Sequence, residues 1–292
     1  MHEPFALMLP VFGGDRPEFL KQAFHSSVHD QELRPNQVVL VRDGPVGEDL
    51  RRTLDQLRES SPVPVTYVEI EVNGGLGPAL DAGLHASKYD VVARMDADDI
   101  SMPNRFAVQV PLIEEADIVG SGLLEFHDDI TNVVGRRVPP VGAEAIRSYA
   151  HLHDPFNHPT VVYRRQAVLA AGGYGGTVPL MEDYWLFARM LADGAEAVNV
   201  AEPLVYYRVS SGAYQRRGGR DLLRAELRLQ RGMRKAGITT RAEYVRNVTI
   251  RGGYRLVPWR LRRSLYTTMV ATRFAKKSDD SAADGSTPPV TK

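Results

Sequence analysis

Tyr89-Asp90-Val91-Val92-Ala93-Arg94-Met95-Asp96-Ala97-Asp98-Asp99 decides how this chain is read. The apolar run through Ala93 has the composition of a short buried strand. It stops at an Asp-x-Asp-Asp sequence, where three carboxylates crowd together and repel. A cation relieves that repulsion. Hard divalent ions take carboxylate oxygens and share their remaining sites with substrate phosphates, so the pattern points to a metal carrying a phosphorylated ligand. The competing reading is an ordinary acidic turn after a strand. The neighbouring segments choose between them.

Upstream, strand-like and helix-like segments alternate. Residues 5–9, 37–41 and 65–70 read as strands. Asp15-Arg16-Pro17-Glu18 reads as a helix start, with Asp15 as N-cap and Pro17 in the first turn. A polar helix is expected near 47–59. Another is expected near 78–87, opened by Asn73-Gly74-Gly75-Leu76-Gly77. This alternation predicts an α/β fold: a mixed, mostly parallel, Rossmann-like sheet flanked by helices. Ligands bind such sheets beyond the carboxyl ends of the strands. Pro10, Val11, Asp43, Asn73 and Asp96 each follow a predicted strand, so the fold gathers them on one rim.

Downstream the pattern loosens. Residues 117–140 read as short strands and loops, and 161–163 as a strand after the rigid Asn157-His158-Pro159-Thr160. Glu182-Asp183 opens an amphipathic helix containing Trp185, Leu186 and Leu191. Residues 219–277 read as arginine-rich helices, and the Ser/Asp/Pro-rich end as disordered. The expected division is 1–210, with halves near 1–100 and 101–210, then a basic helical extension at 211–277 and a tail at 278–292.

Composition is that of a folded soluble chain, 43% hydrophobic and 25% charged. No apolar run reaches the length of a membrane span. The N-terminus lacks the form of a signal peptide. There is no cysteine, which excludes disulfides and thiolate chemistry. A cytoplasmic location is expected. Zero net charge conceals an asymmetry: residues 208–277 carry 19 Lys/Arg against 3 Asp/Glu, while residues 1–207 carry 16 against 30. The basic region suits anionic lipid, polyphosphate or the acidic body itself, and nucleic acid is not an expected partner. Nothing in the motifs sets an oligomeric state.

Taken in order, Pro10-Val11-Phe12, Val41-Arg42-Asp43-Gly44, Asn73-Gly74-Gly75-Leu76-Gly77, Asp96-Ala97-Asp98-Asp99 and Glu182-Asp183-Tyr184-Trp185 resemble the motifs of the family 2 glycosyltransferases, which have the GT-A fold. The resemblance spans about residues 5–208. Asn157-His158-Pro159-Thr160 and Arg216-Arg217-Gly218-Gly219 look like the branch that builds bacterial polysaccharides, amylovoran-type transferases among them. The Gln-x-x-Arg-Trp signature of processive synthases is missing. Gln215-Arg216-Arg217-Gly218 stands near its place, which favours single addition over polymerisation.

The resemblance implies a metal-dependent, inverting transferase. It would move a sugar from a nucleotide-diphosphate sugar to a hydroxyl of a glycan or lipid-linked acceptor. Pro10 and Val11 belong to the first donor-site motif, and Asp43 would meet the nucleobase; Asp-Gly after a strand is equally a good turn. Asn73, Gly74 and Gly75 would cradle the nucleotide, glycine permitting close approach and the helix N-terminus favouring phosphate. Asp96 and Asp98 would handle ribose and ion, with Asp98 and Asp99 as metal ligands to Mg²⁺ or Mn²⁺. Arg94 is either an internal counter-ion or a phosphate contact. Arg216 and Arg217 would close over the diphosphate.

Asp183 would be the general base that takes the acceptor proton. The structural alternative is that Glu182 and Asp183 cap their helix. His158 reads more readily as a hydrogen-bonding residue than as a ligand, and Trp185 as core rather than an acceptor platform. A basic amphipathic helix near 255–276 is suited either to an anionic membrane or to packing on the body. Two other functions share parts of this pattern. A nucleotidyltransferase would have a lysine-bearing glycine loop after the first strand, of which Gly13-Gly14-Asp15-Arg16-Pro17 is a poor version. A non-catalytic nucleotide-sugar-binding scaffold would bind without turnover.

Overall fold

The structure is a computed structural model and describes residues 2–175, 178–209 and 219–256. Nine strands form one continuous sheet. β1 (Phe5–Phe12), β2 (Gln37–Asp43), β3 (Val65–Ile70) and β4 (Val91–Arg94) are its parallel half, in the order β3-β2-β1-β4. The helices α1 (Pro17–Val28), α2 (Glu48–Ser60) and α3 (Leu76–Ala86) make the crossovers that parallel pairing requires. Side chains alternate across β1. Phe5, Leu7, Leu9 and Val11 enter the core under α1 and α2, while Met8 packs with Leu80 and Leu84 of α3. Both faces are covered, which explains the unbroken apolar runs.

Beyond β4 the sheet becomes mixed. β5 (Ile100–Ser101), β6 (Ile118–Phe126), β7 (Val133–Arg137), β8 (Val162–Arg164) and β9 (Ala197–Arg208) continue the order as β4-β8-β6-β9-β5, with β7 beside β6. β4–β8 and β8–β6 are antiparallel and β6–β9 is parallel, so β6 and β9 end on the same rim as β1 to β4. The stretch 117–140 is therefore more regular than expected: it holds the central nine-residue strand β6. Gly120 and Ser121 interrupt the apolar signal there, yet they are needed where Asn199, Phe156 and Thr160 press close.

One local expectation fails. Asp15 is not the N-cap of α1; that position is Arg16, with no side-chain cap bond. Asp15 instead accepts the Phe12 backbone N–H at 2.8 Å and closes the turn leaving β1.

The remaining helices are α4 (Arg105–Leu112), α5 (Ala143–Ala150), α6 (Arg165–Ala170), α7 (Glu182–Ala192), α8 (Arg220–Lys235), α9 (Arg241–Asn247) and α10 (Gly253–Leu256), with a π turn at Val248–Gly252. α8 packs on α7 through Ala225, Leu229 and Met233 against Tyr184 and Ala188. Gly232 leaves room for the Trp185 ring, which is partly buried and packs against this cluster, on the core side as its helix face suggested. The buried Glu226 on α8 binds Arg251 at 2.6 Å and Arg255 at 3.1 Å. Among the described residues no helix is long and apolar enough to cross a membrane. Arg216 and Arg217, most of the helix near 255–276 and the tail 278–292 lie outside the described residues.

Candidate active site

Two carboxylate groups face the rim, one on each half of the sheet. The first follows β4. Asp96, Asp98 and Asp99 each offer an oxygen within 4.8 Å of the others. Arg94, fully buried at the end of β4, forks onto Asp96: one nitrogen meets Oδ2 at 2.9 Å and the other meets Oδ1. Arg94 is thus the internal counter-ion of the cluster, and it occupies both oxygens of Asp96. Beneath the turn, buried Arg105 donates to the Arg94 carbonyl at 2.6 Å and to Ser101 Oγ at 3.0 Å. Burial and the Arg94 charge lower its pKa only to about 9, so it stays cationic at neutral pH.

Asp98 and Asp99 are left with spare acceptor capacity. Asp99 is wholly buried; its Oδ1 accepts the Arg208 backbone N–H at 2.8 Å. Its Oδ2 is buried with no hydrogen-bond partner among the described residues. Desolvation, then Asp96 and Asp98, push Asp99 well above the usual carboxylate range. Asp98 is pushed up to about 6 by desolvation and by Asp96. A buried anionic oxygen without a donor is expensive. A divalent cation on Asp98 and Asp99 would remove that cost, so the donor set fits the ion that the sequence implies.

Arg208, at the end of β9, straps this turn. Its Nε donates to the Asp98 carbonyl at 2.9 Å and its Nη2 to Gln22 at 2.7 Å, while its guanidinium stacks over Phe19 at 3.9 Å. The sequence reading missed both Arg105 and Arg208. Arg208 is remote in sequence and only sheet order brings it here; Arg105 stood close by, at the start of the helix after Pro103.

Asp43, the last residue of β2, holds the loop that opens α3. Its Oδ1 accepts the Gly74 N–H at 2.8 Å; its Oδ2 accepts the Gly75 N–H and the Asn73 side-chain amide, both at 2.9 Å. Asp43 therefore fixes Asn73, Gly74 and Gly75 on the same rim as the acidic turn. Gly44 must be glycine: its φ is +82°, and an added Cβ would lie 2.7 Å from the Asn73 nitrogen. Pro10 pairs with Val41 inside β1, and Val11 is core, so these two contribute floor and backbone to the rim.

The second group is at the start of α7. Neither Glu182 nor Asp183 caps the helix; the N-cap is Met181, without a side-chain bond. Asp183 Oδ1 accepts the Tyr184 N–H at 2.8 Å. Its Oδ2 lies 3.7 Å from Nδ1 of buried His158. Desolvation raises Asp183 against the lowering effects of the Tyr184 N–H and Arg94. Burial and the Asp183 charge raise Asp154 well above its usual range. Asp154 was not singled out in the sequence, although it stands just before the Asn157-His158-Pro159-Thr160 stretch. Tyr184 is core rather than platform: its hydroxyl donates to the Ala150 carbonyl at 2.8 Å.

The family model described as glycosyl transferase family 2 matches residues 7–172. The chain belongs to that family. An uncharacterised glycosyltransferase of Haemophilus influenzae is 36% identical over 91% of this chain and 98% of its own length. The amylovoran biosynthesis glycosyltransferase AmsE of Erwinia amylovora is 33% identical over 90% and 97%. The UDP-Gal:alpha-D-GlcNAc-diphosphoundecaprenol beta-1,3-galactosyltransferase of Escherichia coli is 30% identical over 91% and 96%. Among solved structures, S. aureus TarS 1–349 in complex with UDP-GlcNAc superposes with a TM-score of 0.64 at 14% identity, over 84% of this chain and 72% of that one. The mannosyltransferase PcManGT of Pyrobaculum calidifontis, in complex with GDP-Man and Mn²⁺, gives 0.62 at 16% identity, over 99% and 77%. The fold is GT-A, as the motif order implies, and the nucleotidyltransferase reading is set aside.

Proposed function

We propose that this glycosyltransferase moves a sugar, with inversion, from a nucleotide-diphosphate donor to a hydroxyl of a lipid-diphosphate-linked glycan during cell-surface polysaccharide synthesis. The observation that carries the reading is the pairing on one rim of an acidic turn with a vacant buried oxygen, at Asp99, and a separate carboxylate of raised pKa, Asp183. The relatives named for amylovoran synthesis and for a diphosphoundecaprenol substrate support the acceptor class.

In this reading Asp43 anchors the Asn73-Gly74-Gly75 loop against the nucleotide, and the α3 N-terminus favours its phosphates. Asp98 and Asp99 hold a divalent cation, Mg²⁺ or Mn²⁺; when bound, it supplies positive charge opposite the diphosphate leaving group. Arg94 holds Asp96 in place. Asp183 orients the acceptor hydroxyl and takes its proton as the oxygen attacks the anomeric carbon. The bond to the diphosphate breaks with its electron pair leaving on phosphate oxygen. One displacement inverts the centre. Arg216 and Arg217 are assigned to the diphosphate by their motif alone. The basic C-terminal region is assigned to peripheral contact with an anionic membrane, where a lipid-linked acceptor resides.

The test is thermal stabilisation by UDP, GDP and dTDP compounds, each with and without Mn²⁺. A shift for one nucleotide that requires metal is expected and names the donor class. No shift with any nucleotide, on folded protein, overturns the donor site. Binding without transfer to any lipid-diphosphate acceptor is the outcome of a scaffold. Sedimentation with anionic liposomes tests the membrane contact, and no binding at low salt removes it.

A further inference from the structure

His158 sits behind Asp183 and is buried, 8% exposed, among Phe187, Tyr174 and Phe156. Its Nε2 is 3.0 Å from the Tyr174 hydroxyl, and that hydroxyl donates to the Tyr163 hydroxyl at 3.4 Å. A flipped ring would set a carbon against Tyr174, so the chain of contacts fixes the ring orientation. Tyr174 has a single proton. Where it gives that proton to Tyr163, in the direction the Tyr174–Tyr163 geometry has it, its oxygen accepts from His158; Nε2 then carries the imidazole proton and Nδ1 is a bare lone pair.

That lone pair faces Asp183 Oδ2 at 3.7 Å, too far for a hydrogen bond. Two acceptors oppose each other, and only a proton between them can draw them together. The imidazole does not supply it, because burial and then the Arg94 charge hold His158 well below its ordinary pKa of 6.5. The proton arrives when Asp183 takes it from the acceptor.

We infer that His158 is a positioning residue for the base: its Nδ1 accepts a hydrogen bond from the protonated Asp183 carboxyl, with the tautomer held by the Tyr174–Tyr163 pair. This rests on the assignment of Asp183 as base. The proton passes from the acceptor hydroxyl to Asp183 Oδ2 and is shared with Nδ1. The acceptor oxygen meanwhile forms the glycosidic bond and the diphosphate leaves. His158 stabilises only the protonated carboxyl, so it strengthens Asp183 as a base. The other charges facing Asp183 act on both tautomers alike: Arg94 and Asp96 from β4 and its turn, Asp154 from the loop after α5, and Glu182 on α7.

The decisive variant is Tyr163→Phe, which alters neither base nor substrate contacts. Tyr174 then loses its acceptor and donates to Nε2 instead. The imidazole proton moves to Nδ1 and now favours the ionised carboxylate. The acid limb of the pH profile of kcat/KM should move down by about one pH unit or more. His158→Asn keeps an acceptor near the Nδ1 position and should hold the wild-type limb; His158→Leu should move it down. A Tyr163→Phe limb that stays put or moves up, in folded protein, overturns the inference. Should that variant not fold, equal limbs for His158→Asn and His158→Leu overturn it. Asp183→Asn separates the two levels. If it retains transfer, the base assignment falls; if it abolishes transfer while the limbs fail to move, only the role of His158 falls.

Discussion

The two halves of the rim hold their carboxylates in opposite ways. On the donor half, Asp43 is surrounded by two backbone N–H groups and an amide, and Asp96 is gripped by an arginine fork. Those contacts hold each carboxylate in one orientation, which suits groups that serve as anchors. On the acceptor half, Asp183 has one backbone N–H, burial and a bare imidazole nitrogen nearby. That environment favours the neutral form, as the proposed role of Asp183 as base requires. Asp99 belongs by position to the first half and by environment to the second: buried, short of donors and raised. A carboxylate in that state calls for a cation.

The sharpest break in the comparison is Asp183→Asn. General-base loss costs about 10²–10⁴ in rate, so kcat should fall by that order while metal-dependent stabilisation by the donor nucleotide survives. Asp98→Ala should do the reverse, removing the metal-dependent thermal shift as well as transfer. Glu226→Ala comes next. It removes the buried carboxylate that the partly buried Arg251 and Arg255 both reach, which should cost about 3 kcal/mol in urea unfolding. It should also depress kcat more than donor binding, because Arg251 holds the Leu152 carbonyl at 2.8 Å, next to Asp154.

Gly44→Ala adds about 1–2 kcal/mol of left-handed strain to a Cβ contact of 2.7 Å with the Asn73 backbone nitrogen. It should weaken nucleotide binding by displacing Asn73 and leave the acid limb of kcat/KM unchanged. The smallest effect concerns pH. Asp98, raised to about 6, and Asp15, raised to about 7 by burial, bind protons more tightly folded than unfolded. Their contribution is therefore lost as pH rises from about 4 to about 7. Glu243, lowered to about 2 by the Thr240 N–H and His151, acts in the opposite sense but at lower pH. The metal-free protein should lose thermal stability across that upper window, and Mn²⁺ should restore it; a flat melting profile without metal would count against the acidic turn as drawn.

The donor half was legible in the sequence because its logic is local. Asp96, Asp98 and Asp99 are neighbours, Asn73-Gly74-Gly75 is one loop, and strand-end position alone places Asp43 beside them. The contacts between residues far apart in sequence resisted, on both halves. Arg208 reaches Asp98 across 110 residues and Asn247 reaches the His151 carbonyl across 96. No spacing rule connects such pairs. Asp15 was misplaced for a smaller reason: an Asp two residues before a helical proline satisfies a cap pattern, but the tight turn after β1 claimed its carboxylate first. Asp183 was found only because its Glu-Asp pair is itself a motif.

The clamp from the C-terminal helices onto residues 151 and 152 has a consequence for the newborn chain. Synthesis runs from the N-terminus, and domains tend to fold as they emerge. The parallel strands and the Asp43 loop have all their residues once residue 99 has been made, and the acidic turn lacks only Arg105 and the Arg208 strap. The loop before Asp154 waits for Asn247 and Arg251, about a hundred residues later. A nascent chain can therefore assemble its anchors for the nucleotide well before the surroundings of its base. In the order of synthesis, the surroundings of Asp183 are assembled after those of Asp43.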